Sequence, residues 1–371
     1  MTDAPIPNGD TSRAGWRFAY VLAKVLRQFR SNHEQTMQPR KCGANTWRHT
    51  VAFAATALAM TFLTLSIRQA HAQNYPARTV KIMVPFPAGG TADVMPRIFA
   101  DWLSRKWGQP VVVEDRAGAG GNIGAGVVAK SDPDGYTLLA SPPPPLVINQ
   151  NLYPHLDFDP TKFVPIVVMT RVPNALVVNP DKIKANNIKD FVAYVKANDG
   201  KITDATQGNG TTSQLTAAMF QMMAHAKLQN VPYRGSAPAL NDLVAGSVDC
   251  MFDNLGVSLQ LVKAGKLKLI AVASAKRMAS LPNTPTIAET LPGFEAVAWY
   301  AFVAPAGTPA AVVDKVNAGV NQALHDPAIQ ERLVDLSAES VGGSPQETAA
   351  YFREETERWK NVITSAHVTL D

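Results

Sequence analysis

The chain has 371 residues, 46% of them hydrophobic, and a formal net charge of +5, which is length enough for two lobes with proper cores. The charge is unevenly placed. Residues 1–72 hold nine Lys/Arg and three Asp/Glu, a net of +6, so the remainder carries +5 − 6 = −1. The basic character therefore belongs to the N-terminal segment and gives no support for nucleic-acid binding.

That segment reads as a leader. Val51–Leu65 is an apolar run preceded by Arg40, Lys41 and Arg48 and followed by Ala70-His71-Ala72. A basic region, a short apolar stretch and a small-x-small site predict a signal peptide cleaved after Ala72, with delivery to the periplasm. The run falls short of the roughly twenty residues a membrane-spanning helix needs. Met37 is the expected start, with residues 1–36 a misplaced translation start; the rival reading is an amphipathic helix over Trp16–Arg30. Cys42 lies ahead of the apolar run and Cys250 is the only later cysteine. No disulfide is then expected within the mature chain, and Cys250 reads as core.

From Val80 onward the chain alternates β-branched runs with helical periods, which predicts an α/β fold with largely parallel sheets. The expected strands are Val80–Val84, Val111–Glu114, Thr137–Ala140 and Pro165–Met169, with helices over Arg97–Trp107 and Asn122–Lys130. A second set opens at Leu176–Val178. Its strands lie near Ile202–Asp204, Gln229–Pro232, Val248–Phe252 and Leu267–Ala273. Its helices are Lys189–Asn198, Thr212–His225, Ala237–Ala245 and Val257–Ala264. After a strand over Trp299–Ala304 the tail is expected to be all helix: Pro309–Leu324, Pro327–Leu336 and Pro345–Ala366. A tail without its own sheet must pack on an existing lobe. The expected organisation is a first lobe (73–175) completed by 299–371, with a second lobe (176–298) inserted between two hinge-crossing strands.

Two turns carry the chemistry. In VKIMVPFPAGGTAD a strand runs into Phe86-Pro87-Ala88-Gly89-Gly90 and then a helix start at Thr91 and Asp93, with Thr91 or Asp93 as cap. Free N–H groups and a positive helix end suit an anion there. Asp93 is awkward, since its carboxylate should repel an anionic ligand. Gly208-Asn209-Gly210-Thr211-Thr212-Ser213 repeats the pattern, with more hydroxyls than one cap requires. Asp253 and Asn254 follow a strand and read either as a turn or as a cleft-facing pair. Gly118–Gly126 fails as a dinucleotide fingerprint, because Ile123 breaks GxGxxG and no acidic strand end follows; tight helix packing explains its glycines.

Catalytic sets are hard to build. His155, His225, His325 and His367 form no metal-spaced pair, and neither HExxH nor GxSxG occurs.

The blocks YPARTVKIMVPFPAGGTAD, GQPVVVEDRAGAGGNIGA, DPDGYTLLA, GNGTTS, VPYRGSAPALNDLVAGSVDCMFDNL and AGKLKLIAVASAKR together resemble the Bug family, the TctC-like solute-binding proteins of tripartite tricarboxylate transporters. The resemblance implies a two-lobed periplasmic binding protein (Venus-flytrap) fold. It also implies a receptor without cofactor or metal, a small organic acid as ligand and a membrane permease as partner. A monomer is expected. Ligand contacts carried over are Phe86, Pro87, Ala88, Gly89, Gly90, Thr91, Asp93, Ser141, Gly208–Ser213, Asp253 and Asn254. The rival reading is a two-lobed enzyme acting on a small organic acid. Two departures stand out. Pro142–Pro145 replaces a loop usually rich in donors, which implies a drier wall and room for an apolar or aromatic portion of the ligand. Arg171 stands where a small residue is usual, either as a solvated hinge residue or as partner to a second ligand carboxylate.

Overall fold

A fifteen-residue strand, β4 (Val164–Val178), organises the sheet in the computed structural model, which describes residues 75–370. The leader, the start at Met37, the Trp16–Arg30 helix and Cys42 lie outside the described residues. In the sequence reading β4 is two strands, Pro165–Met169 and Leu176–Val178; the structure runs it straight through Thr170–Ala175.

The first part of β4 pairs with β9 (Val297–Ala304), on the half that also holds β1 (Val80–Val84), β2 (Val111–Asp115) and β3 (Thr137–Ser141). Its last five residues pair with β7 (Cys250–Asn254) and β8 (Lys268–Val272), next to β5 (Thr203–Thr206) and β6 (Gln229–Pro232). Asn174 marks the passage. Its N–H donates to Ala296 O at 2.9 Å, its carbonyl accepts from Ala273 N at 2.7 Å, and Ala296 N donates to Ala273 O. The expectation of largely parallel sheets fails here. β1–β2, β1–β3, β5–β6 and β5–β7 are parallel, but every pair made by β4 or β9 is antiparallel. β4 and β9 pass between the halves in opposite directions, so with each other they can pair in no other way.

Most helices fall where the apolar period puts them: α1 (Thr91–Trp107), α2 (Asn122–Ala129), α3 (Ile188–Ala197), α4 (Thr212–Ala224), α5 (Ser236–Ala245), α6 (Leu255–Lys263), α7 (Ala310–Leu324), α8 (Pro327–Asp335) and α9 (Pro345–Ser365). α1 begins six residues earlier than expected. Pro96 suggests a helix start just after it, but it sits inside the helix near the N-terminal end. There its missing N–H removes one bond, to the Ala92 carbonyl, and the remaining turns hold.

The tail packs on the first half through its helices and adds one strand that the sequence reading lacks. β10 (Glu339–Gly342) pairs with β4 at Arg171, Thr170 and Val168. Its side chains are exposed or half-buried, so no apolar alternation announces it. Asn317 on α7 donates to Ile166 O and Gly343 O, both at 2.8 Å. On α9, Glu355 Oε2 accepts from the buried indoles of Trp299 (2.8 Å) and Trp359 (3.0 Å), and its other oxygen takes Arg358 Nε. One core gathers Ile82, Phe99, Phe302 and Val316; another gathers Leu176, Phe191, Phe220 and Phe252.

Cys250 is core, as expected. Its thiol lies 3.8 Å from Asp204, whose carboxyl burial pushes well above the ordinary range although Phe252 N–H and Cys250 oppose the shift. Among the described residues no helix is long and apolar enough to cross a membrane.

Candidate functional site

The N-termini of four helices meet where the two halves touch. α1 starts from an extended Gly90, with no side-chain cap, rather than from a capping Thr91 or Asp93 as the local sequence suggests. α4 starts from Thr211, whose hydroxyl accepts from Gln214 N. α5 starts from Gly235 and α6 from Asn254. Thr91 Oγ1 donates to Asn254 O (3.4 Å) and accepts from Val257 N (3.3 Å). Asn254 Nδ2 donates to Thr212 Oγ1 (3.2 Å) and to Asn174 Oδ1. Ser236 Oγ donates to Asp253 Oδ1 at 2.7 Å. The first residues of all four helices are thus joined through Asp253-Asn254. Leading N–H groups of a helix have no partner within it, and each helix end adds a partial positive charge.

Asp253 and Asn254 form the floor of this arrangement rather than an exposed pair, both being buried. Gln207 Nε2 donates to Asp253 Oδ1 (2.7 Å) and Asn254 Oδ1 (2.9 Å), and Tyr300 OH reaches Asn254 Oδ1 at 3.3 Å. Burial raises the Asp253 carboxyl to about 6, against hydrogen bonds from Ser236 and Gln207 that pull it down. Asp253 Oδ2, Ser213 Oγ, Thr206 Oγ1 and Asn149 Oδ1 are buried without a partner among the described residues.

Asp93 does not confront a ligand as its charge suggests. It accepts the Gly89 N–H at 2.8 Å and pairs with Arg97, which also reaches Asp115 at 2.7 Å. Ala88 and Gly89 stay exposed on the turn, while Phe86, Gly90 and Thr91 are buried. Ser141 is buried and donates to Pro142 O at 2.9 Å, so its hydroxyl serves its own loop.

A cavity of about 500 Å³ is lined by Phe86, Ala117–Gly121, Ile123, Tyr153, Gln207–Asn209 and Pro232–Arg234, with Arg234 exposed, and Gln207 links it to Asp253 and Asn254. The glycine loop at 118–121 is the main correction to the sequence reading. Packing does explain Gly124, where an added Cβ would stand 2.8 Å from Pro85 Cα and Arg116 O. Gly120 has another reason: its φ is +60°, and an added Cβ would lie 2.8 Å from Asn209 O on the opposite half. Pro142–Pro145 lies buried and outside the lining. Pro145 packs under Gly121, at 3.2 Å from where its Cβ would be, and the run leads into a π-helical turn over Pro144–Ile148. Pro145 supports the glycine loop, and none of the four prolines lines the cavity. Arg171 is not in the cavity either. It stacks on Tyr351, 4.8 Å from the ring centroid, in a separate groove with Lys276, Glu295, Glu339 and Arg358.

Glycines make the seam between the halves. An added Cβ at Gly90 would sit 3.3 Å from Ser236 Cβ, at Gly210 2.8 Å from Asn149 Oδ1, at Gly256 2.8 Å from Thr91, and at Gly235 2.5 Å from Pro87 Cγ. The halves are in contact at a spacing that side chains would prevent. Sequence reading missed Asn149, Tyr153, Gln207 and Gly235-Ser236; the last repeats the Gly-hydroxyl signal of Gly90-Thr91 and could have been found by it.

None of the four histidines lines the cavity; His225 and His325 sit at helix C-termini. Among the described residues no three His, Cys, Asp or Glu side chains are grouped to hold a metal.

Two halves joined by crossing strands and meeting over a glycine-lined cavity define a solute-binding receptor of the two-lobed periplasmic class. Solved structures agree. Rpa4515 of R. palustris with adipate is 36% identical, covers 80% of this chain and 99% of its own, and superposes with a TM-score of 0.78. The periplasmic binding protein BugD is 37% identical over 80% and 99%, at 0.76. MatC from Rhodopseudomonas palustris with bound malate is 33% identical over 78% and 100%, at 0.74. Residues 95–368 match the tripartite tricarboxylate transporter family receptor, TctC, and the chain belongs to that family. It is a solute-binding receptor and not an enzyme.

Proposed function

We propose that this protein captures a small organic acid in the periplasm and delivers it to a permease of the tripartite tricarboxylate type. The observation that carries the reading is the meeting of the α1 and α4 N-termini, from opposite halves, on one residue: Thr91 and Thr212 both bond Asn254. A ligand carboxylate held there would accept N–H groups of Gly90–Ala92 and of Thr212–Ser213, beside the unpartnered Ser213 hydroxyl. The closed state would then gain bonds that the open state lacks, which is the condition for ligand-driven closure. Adipate in Rpa4515 and malate in MatC support a carboxylate as the recognised group. Phe86, Ala117, Ala119 and Ile123 on the lining suit an apolar midsection of the ligand. Lobe 2 is residues 176–298, delivered to the periplasm by the leader, and the working unit is a monomer.

Thermal-shift screening of mono-, di- and tricarboxylates, aromatic acids and amino acids tests this. At least one acid should raise the melting temperature of the wild type. Gly90→Val and Gly210→Val should both lose that rise, because each places a side chain in the seam. Unchanged affinity in both variants would remove the site from this cleft.

A further inference from the structure

We infer that Arg234 selects for a second carboxylate on the ligand, making the protein a receptor for dicarboxylates over the matching monocarboxylates; this rests on the carboxylate site proposed above. The cavity lining contains no acidic side chain and one full charge, the Arg234 guanidinium. Among the described residues Arg234 has no carboxylate within 4.0 Å and no side-chain hydrogen bond, whereas Arg97, Arg277 and Arg358 are all paired. An uncompensated cation at the rim of a concave, neutral surface gives the cavity a positive mouth, where field lines concentrate.

The backbone around it is held. Tyr233 N donates to Thr206 O at 2.9 Å, and Tyr233 OH donates to Asp242 at 2.6 Å. Gly235, at φ +148°, lies against Pro87 of the other half with no room for a Cβ. Arg234 therefore stands on a fixed segment at the seam, carried to the mouth when the halves close. Its side chain remains available. The floor at Thr91, Thr212 and Asn254 takes one end of the ligand; the guanidinium meets the other with a planar fork that matches a carboxylate. Length selectivity follows from the same geometry, since the span between floor and rim is set by the fold.

Calorimetric titration with α,ω-diacids of four to eight carbons and their equal-length monoacids tests the assignment, in wild type, Arg234→Gln and Arg234→Lys. Wild type should bind its best diacid about tenfold or more tighter than the matching monoacid, as a charge-assisted pair provides. Arg234→Gln should erase most of that ratio by weakening the diacid while leaving the monoacid unchanged, and Arg234→Lys should recover part of it. A ratio that Arg234→Gln leaves intact overturns the inference, with the carboxylate site untouched. Equal affinity of wild type for diacid and monoacid does the same. Binding of no acid at all by wild type overturns both.

Discussion

Adding one methyl group at Gly235 is expected to weaken ligand binding by about 10- to 100-fold, as overpacking a closed seam by roughly 1–3 kcal/mol would. The Cβ of Gly235→Ala would stand 2.5 Å from Pro87 Cγ and 2.7 Å from Pro87 Cδ, atoms of the opposite half. With the halves apart that collision does not exist, so the cost falls on closure. Part of the cost is local, because φ +148° is a conformation that alanine resists. A second substitution separates the two. Pro87→Ala removes both ring atoms, so the double variant should regain a large part of the affinity while keeping the local strain. Titration of the four proteins, with the melting temperature of each without ligand, reads this directly. A double variant no better than Gly235→Ala would mean that strain alone explains the loss and that the halves do not meet there.

Asp253→Asn is expected to stabilise the ligand-free protein at pH 7 by about 3 kcal/mol relative to wild type, and to leave it equal below pH 4. The sign follows from linkage. The folded carboxyl is raised to about 6 from the model-compound 3.8, with burial as the main cause. At low pH folded and unfolded chains both hold the proton. As pH climbs from 3.8 toward 6 the unfolded chain releases it and the folded chain does not, so stability falls by about 1.4 kcal/mol per unit and then levels off. Asparagine keeps the Oδ1 acceptor for Gln207 and Ser236 and replaces the unpartnered Oδ2 with a neutral amide. Asp204, buried and shifted in the same direction, adds its own slope to both proteins, so the difference between them isolates Asp253. Urea unfolding at unit steps from pH 4 to pH 8 would show two curves that part between pH 4 and 6. Parallel curves would place the Asp253 charge in a solvated setting.

The extent to which this molecule is legible in its sequence follows the range of the forces involved. β1 is found to the residue, because a β-branched run ended by Pro-Phe-Pro is a local signal. α9 opens with Ser344, Pro345 and Glu347 in a capping box, also local. β10 is not found, since its pairing with β4 leaves its side chains in solvent. The same divide runs through the site. Gly90-Thr91 and Gly208–Ser213 stand out because glycine and hydroxyl residues ahead of an apolar helix say what they do within six residues. Gly120 and Gly235 carry reasons that lie on the other half of the molecule, at Asn209 and Pro87. Asp93 misleads for the same cause: its charge is visible in sequence, and its pairing with Arg97 and Gly89 is not. Arg171 and Pro142–Pro145 are noticed as departures, but only the fold shows that Arg171 stacks on Tyr351 and that the proline run is buried, with Pro145 against a glycine loop.

The central claim is that one carboxylate bridges two helix N-termini from opposite halves. Crystallisation of the protein with the acid that gives the largest thermal shift tests it most directly. The electron density should show a carboxylate at hydrogen-bond distance from N–H groups of both Gly90–Ala92 and Thr212–Ser213, directly or through one water. An acid seated instead in the groove of Arg171 and Tyr351, or bound by one half alone, would contradict it.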